Sequence, residues 1–183
     1  MLNILVLQQS VPLHVAASVM LLLLLATLSD LSTRRIPNRL VLFGLLLGLL
    51  EQWLLNGLWL GGRAWLAGTA VGMLWLLPGY VLRMAGAGDV KLMGAVGSFF
   101  GAGGALQIGL ASSVLGGGLA LLFLLLRRQT RVGLVNCKWL LWCCAQPGAL
   151  ASGMNHHRPE LAGRLPYGVA IGLGAAWVMY LSF

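Results

Sequence analysis

Gly86-Ala87-Gly88-Asp89-Val90-Lys91-Leu92 is the stretch on which the reading of this chain turns. A carboxylate follows two closely spaced glycines and opens a long apolar segment. From Leu92 to Leu126 no formal charge follows. The whole sequence holds only four acidic residues, Asp30, Glu51, Asp89 and Glu160. Asp30 closes one apolar segment and Asp89 opens another. Two aspartates at matching segment ends, in a chain this poor in acids, call for a chemical explanation.

The composition fixes the class. Of 183 residues 59% are hydrophobic and 9% charged, with mean hydropathy +0.89, against about 25% charged in soluble domains. The apolar runs approach the roughly 20 residues that carry a helix across about 30 Å of hydrocarbon. Backbone groups in lipid must be satisfied internally, which favours helices. The runs are continuous rather than alternating, which excludes a membrane β-barrel. The net charge of +8 is not the footprint of a nucleic-acid binder, because the basic residues sit in short stretches between apolar runs, where membrane orientation requires them. Cys137, Cys143 and Cys144 lack CxxC spacing, so neither a zinc site nor a disulfide framework is indicated. No metal or cofactor is expected.

The expected fold is all-α and membrane-embedded, a single domain over 1–183. Transmembrane helices are expected at about 11–29, 40–58, 64–82, 90–102, 105–126 and 165–181. Pro37 suits the first turn of the second, Pro78 should bend the third, and Gly101-Ala102-Gly103-Gly104 reads as a turn. Gly94, Gly97 and Gly101 would permit close helix packing. Glu51 on the second helix is either a buried acid, functional by default in a membrane, or, beside Gln52 and Trp53, a residue facing the outer interface, which is the favoured reading. Residues 127–164 read as a cytoplasmic loop whose patch Trp139 to Ala151 is too short to span and lies at the interface. His156 and His157 read as part of a solvated loop. With this layout 11 of the 12 basic residues, all but Arg63, fall on one side. That side is the cytoplasm, so both chain ends lie outside and both Asp30 and Asp89 face inward.

Two carboxylates brought together cannot easily both ionise; one keeps its proton and the pair titrates as a unit. The ionised member can take a proton from water. The protonated member can polarise a peptide carbonyl and later protonate the leaving amine. Gly86 and Gly88 would let a substrate backbone or another helix approach Asp89. The structural alternative for Asp89 is a helix cap, since an acidic side chain is favoured at a helix N-terminus. Lys91 reads as an orientation signal that snorkels to the headgroups, and two residues from Asp89 it would not share its helix face.

Here the chain resembles the type IV prepilin peptidases, GxGD aspartyl proteases of bacterial inner membranes. Gly86 to Leu92 matches that family's GxGDxKL motif. Asp30 with Arg34-Arg35-Ile36-Pro37-Asn38 resembles the stretch bearing its first catalytic aspartate, and Leu165-Pro166-Tyr167-Gly168 looks like the element that opens its last helix. The resemblance implies a GxGD protease-like helix bundle in the inner membrane. It implies an aspartic endopeptidase that removes the short basic leader of prepilin-like or pseudopilin-like proteins at the cytoplasmic face, in the company of pilus assembly machinery. Asp30 and Asp89 would be catalytic, with Gly86, Gly88, Lys91, Pro37, Asn38, Pro166 and Gly168 as motif and supporting residues. Larger members carry paired CxxC motifs and also methylate the new N-terminus. This chain lacks those motifs, so it looks like the single-function form of tight-adherence (Flp-type) pilus systems. Competing classes are a proton-coupled transporter, a non-catalytic assembly subunit, and a presenilin-like protease cutting within an apolar helix.

Overall fold

The computed structural model describes residues 12–33, 36–81, 85–126 and 167–182. Its regular structure is entirely helical there: α1 (Leu13–Thr33), α2 (Asn38–Val81), α3 (Ala87–Leu126) and α4 (Tyr167–Ser182). Three of these, α1, α2 and α3, are long and apolar enough to cross a membrane; Gly168–Leu181 within α4 is a shorter apolar helix. Residues 127–166, with the expected loop and interfacial patch, lie outside the described residues.

At about 1.5 Å per residue, the 44 residues of α2 and the 40 of α3 would each reach about twice the bilayer core. Neither is straight. Gly57 (φ 75°, ψ 174°) interrupts α2 and Gly101 (φ 68°, ψ −173°) interrupts α3, in a backbone region open essentially to glycine alone. The chain doubles back at both. A Cβ on Gly61 would meet the carbonyl of Gln52 and lie 3.0 Å from the amide nitrogen of Trp53, and one on Gly97 would lie 3.0 Å from Cβ of Ala105. In a straight helix such residues would stand about 12–13 Å apart. The second break falls within the glycine-rich turn expected from the sequence. The first falls at Gly57, ahead of the expected 59–63 connection.

A broken helix leaves carbonyls without their helical partners. In an unbroken helix the Phe99 carbonyl would accept from residue 103, beyond the break at Gly101. Here it accepts a 2.7 Å hydrogen bond from Nε2 of Gln52, a side chain only 5% exposed, while Asn56 Nδ2 donates to Oε1 of Gln52 at 2.7 Å. Gln52 thereby ties the two breaks together.

The core follows from small faces. Val15, Val19, Leu22, Leu23 and Ala26 line one side of α1, and Ile171, Ala175, Val178 and Met179 one side of α4. Residues 92–99, in the first half of α3, are buried all round. Much of what α2 buries is glycine: Gly44, Gly48, Gly61, Gly68 and Gly72. A Cβ on Gly68 would run into the Gly97 carbonyl, and one on Gly97 into that of Gly68. Such backbone contact is how helices associate where lipid gives no hydrophobic drive between them. Outward-facing Leu54, Leu58, Trp59, Leu66, Leu74 and Val114 are each more than 60% exposed. So much exposed apolar surface marks a lipid-facing exterior.

The chain divides into two compact units. The first gathers the described residues up to Gly116 together with α4, and the second runs over 117–165. Both aspartates belong to the first.

Candidate active site

Asp30 stands three residues before the end of α1 and is half-buried. Its carboxylate rests on the backbone of α4. A Cβ on Gly168, the second residue of that helix, would lie 3.4 Å from Oδ2 and 3.9 Å from Cγ of Asp30. One turn further, Gly172 approaches Thr27 in the same way, at 3.7 Å to Cγ2. The C-terminal end of α1 and the N-terminal end of α4 therefore meet at Asp30. Any side chain at 168 would touch the carboxylate.

Asp89 is the third residue of α3. The Gly86 carbonyl accepts from the amides of Asp89 (3.1 Å) and Val90 (3.3 Å), which makes Gly86 the N-cap. The Asp89 side chain reaches back, and its Oδ2 accepts the Gly86 N–H at 2.9 Å. This is the carboxylate half of a capping box, so the helix-cap alternative is satisfied at this residue. The bond also fixes where the carboxylate stands. Its second oxygen takes no part in this cap bond.

The end of α3 that bears Asp89 meets the start of α2. Gly88 faces Ile36, whose Cβ would lie 3.2 Å from a Cβ at position 88. Lys91 Nζ donates to Asn38 Oδ1 at 3.0 Å. The Pro37 carbonyl accepts from Leu40 (3.0 Å) and Val41 (3.3 Å), starting α2 one residue ahead of its first helical position. Ile36 lies six residues after Asp30 and touches the residue before Asp89. Helix ends thus meet in two pairs, the end of α1 with the start of α4 at Asp30 and Gly168, and the start of α2 with that of α3 at Ile36 and Gly88 and at Asn38 and Lys91. Of the residues singled out from the sequence, Pro166 lies outside the described residues. Lys91, read as a snorkelling orientation charge, has a specific partner instead. Among the described residues no three His, Cys, Asp or Glu side chains group as a metal site would need.

Glu51 corrects the sequence reading. It faces inward rather than toward the outer interface, with its side chain 12% exposed and Oε2 3.2 Å from Nε2 of His14. Ser18 Oγ donates to Oε1 at a long 3.4 Å. His14 precedes Asp30 by 16 positions, about 24 Å along α1, so this pair stands at the far end from the aspartates. Ile36, Thr27 and His14 were not singled out as site residues, because their partners lie on other helices. One partial signal existed: Ile36 sits within the Ile-Pro-Asn run already noted.

A model of the type IV leader peptidase family matches residues 17–121, more than half of the 183-residue chain. The match takes in Asp30, Ile36 to Asn38 and the whole of Gly86 to Leu92. No curated protein and no solved structure matches the chain.

Proposed function

This chain belongs to the type IV leader peptidase family, and we propose that it is a membrane aspartyl endopeptidase in which Asp30 and Asp89 share the catalytic work. The observation that carries the reading is the meeting of helix ends: Asp30 lies against Gly168, and Ile36, six residues on, lies against Gly88 beside Asp89. The substrate class proposed is the prepilin-like protein, cut at the junction between its short basic leader and its apolar helix. The positive charge distribution supports a cytoplasmic face for the site in a bacterial inner membrane. The two glycine breaks support six spans rather than four.

The reaction is hydrolysis. The ionised carboxylate takes a proton from water as the water oxygen adds to the scissile carbonyl carbon, while the protonated carboxyl gives its proton to the carbonyl oxygen. The resulting gem-diol returns one hydroxyl proton to the carboxylate left ionised. The other carboxyl protonates the amide nitrogen as the C–N bond breaks. The products are a new carboxyl and a new amine, and the pair ends with the single proton it began with. The absence of CxxC spacing among the cysteines supports cleavage without N-methylation, the single-function form.

The test is co-expression with Flp-type prepilins, with the mass of the processed protein as readout. A product beginning at the leader boundary, unmethylated, is expected. Cleavage inside the apolar helix would replace this reading with a presenilin-like one. No cleavage of several prepilins by a correctly inserted protein would move the chain to a non-catalytic assembly role.

A further inference from the structure

Asp89 is bracketed by two contacts to the start of α2. One residue before it, Gly88 lies on Ile36; two residues after it, Lys91 bonds Asn38. Lys91 does not share a helix face with Asp89, because successive positions turn by about 100° and side chains two apart point nearly opposite ways. Its ammonium instead reaches a residue 53 positions earlier in sequence. That bond pairs a charged donor with a side-chain carbonyl, the stronger kind of hydrogen bond.

We propose that Lys91 is a positioning residue for Asp89, acting through Asn38 rather than through its charge on the reacting groups. The proposal rests on the peptidase reading above. The first turn of α3 carries Asp89, and α2 begins at Asn38, eight positions after Asp30. At this end of the α2–α3 seam, the Gly88–Ile36 contact alone would let the two helix starts splay about it. The Lys91–Asn38 bond supplies a second point on the other side of Asp89 and so sets the register between the two helix starts. Two fixed points define how the Asp89 turn stands against the start of α2.

The contacts beyond the site agree with this register. A Cβ on Gly44 would lie 3.4 Å from Cβ of Ala95, and one on Gly48 would lie 3.3 Å from Cδ2 of Phe99. The partners therefore keep nearly the same sequence offset from Ile36 onward, as two parallel helices do. Those contacts, with the Ser98 side chain also beside Gly48, lie deeper. Lys91 and Asn38 form the polar end of the same seam, at the level of the aspartates.

The experiment uses the full chain in proteoliposomes with a leader-bearing prepilin, comparing wild type, Lys91→Met, Asn38→Ala, the double variant and Asn38→Asp. Each single loss should lower kcat roughly three- to ten-fold, a fraction of what larger misplacements of reacting groups cost, with KM within about two-fold. The double variant should be no worse than the poorer single, as expected for two residues acting through one bond. Asn38→Asp keeps an acceptor for Lys91 and should restore kcat to within about two-fold of wild type. The acid limb of the pH profile should stay in place in Lys91→Met and in Asn38→Ala. Additive losses, or an acid limb that moves in Lys91→Met but not in Asn38→Ala, would overturn the proposal in favour of a direct charge effect. Amide hydrogen exchange over residues 86–91 is a second readout and needs no activity. It should rise alike in both single variants and no further in the double. Unchanged exchange in the singles would overturn the positioning role, whereas absent cleavage by wild type with this exchange pattern intact would sink only the peptidase reading.

Discussion

The carboxylate of Asp30, near the end of α1, lies on the backbone of Gly168 in the first turn of α4, where a Cβ would stand 3.4 Å from Oδ2. That distance is ordinary van der Waals contact. A methyl group fits against the carboxylate but occupies the space beside it, and a branched side chain brings more atoms to the same place. Gly168→Ala should therefore fold at least as well as wild type, since alanine is favoured over glycine in helices by up to about 1 kcal/mol. Leader cleavage should fall a few-fold in Gly168→Ala and at least about ten-fold in Gly168→Val. Parallel thermal unfolding and cleavage assays check this. Full cleavage by the valine variant would mean that the Asp30 carboxylate does not act from this position.

Asp89 combines two roles that substitution can separate. Its Oδ2 caps α3 through the Gly86 N–H at 2.9 Å. Asparagine keeps an oxygen able to accept that bond; alanine does not. Loss of one such hydrogen bond costs about 0.5–1.5 kcal/mol. Asp89→Ala should thus be measurably less stable than Asp89→Asn, which should unfold close to wild type, while both are inactive in cleavage. Equal stability of the two would show that the cap bond contributes nothing to folding.

The His14–Glu51 pair should matter for folding and not for cleavage. Glu51 Oε2 is buried, and the His14 ring at 3.2 Å is the group facing it. Removing the ring by His14→Ala leaves a buried acceptor without that neighbour, a loss of order 1–3 kcal/mol where no water can replace it. His14 is itself 59% exposed, and solvent screening puts the effect toward the low end. The variant should unfold at lower temperature and cleave within about two-fold of wild type. A large loss of cleavage with unchanged stability would extend the site to this end of the bundle.

The helices were legible in the sequence because continuous apolar runs leave lipid-facing chain few other options. Gly101 fell inside a glycine cluster and was legible as a turn for the same reason it serves as one, its access to positive φ. The break in α2 was expected at 59–63, beginning two residues beyond Gly57, because Arg63 drew the boundary toward itself. Asn56-Gly57, a dipeptide that favours turns, was the signal that went unused. The start of α3 was set at residue 90, whereas the helix begins at Ala87 with Asp89 already inside its first turn. An acid that caps from the third position looks, in sequence, like a residue standing outside the helix.

The motif residues were legible as a set, and their pairing was not. Asn38 with Lys91, Asp30 with Gly168 and His14 with Glu51 all join residues on different helices. A single sequence shows which face of a helix is apolar, but not which neighbour that face meets or in what register. Glu51 illustrates the point: its flanking Trp53 suggested an interface, and only the packing of α1 against α2 supplies the histidine that turns it inward.

The most direct measurement is the rate of leader removal by purified wild type, Asp30→Asn and Asp89→Asn, reconstituted at equal density and shown by thermal unfolding to be folded. Asparagine matches aspartate in size and keeps one acceptor oxygen, but it can neither take a proton from water nor return one to the leaving amine. The two-carboxylate account predicts cleavage by wild type and a loss of at least about a thousand-fold in each variant, a general acid–base contribution of the upper order expected. Substantial cleavage surviving in either folded variant would contradict it.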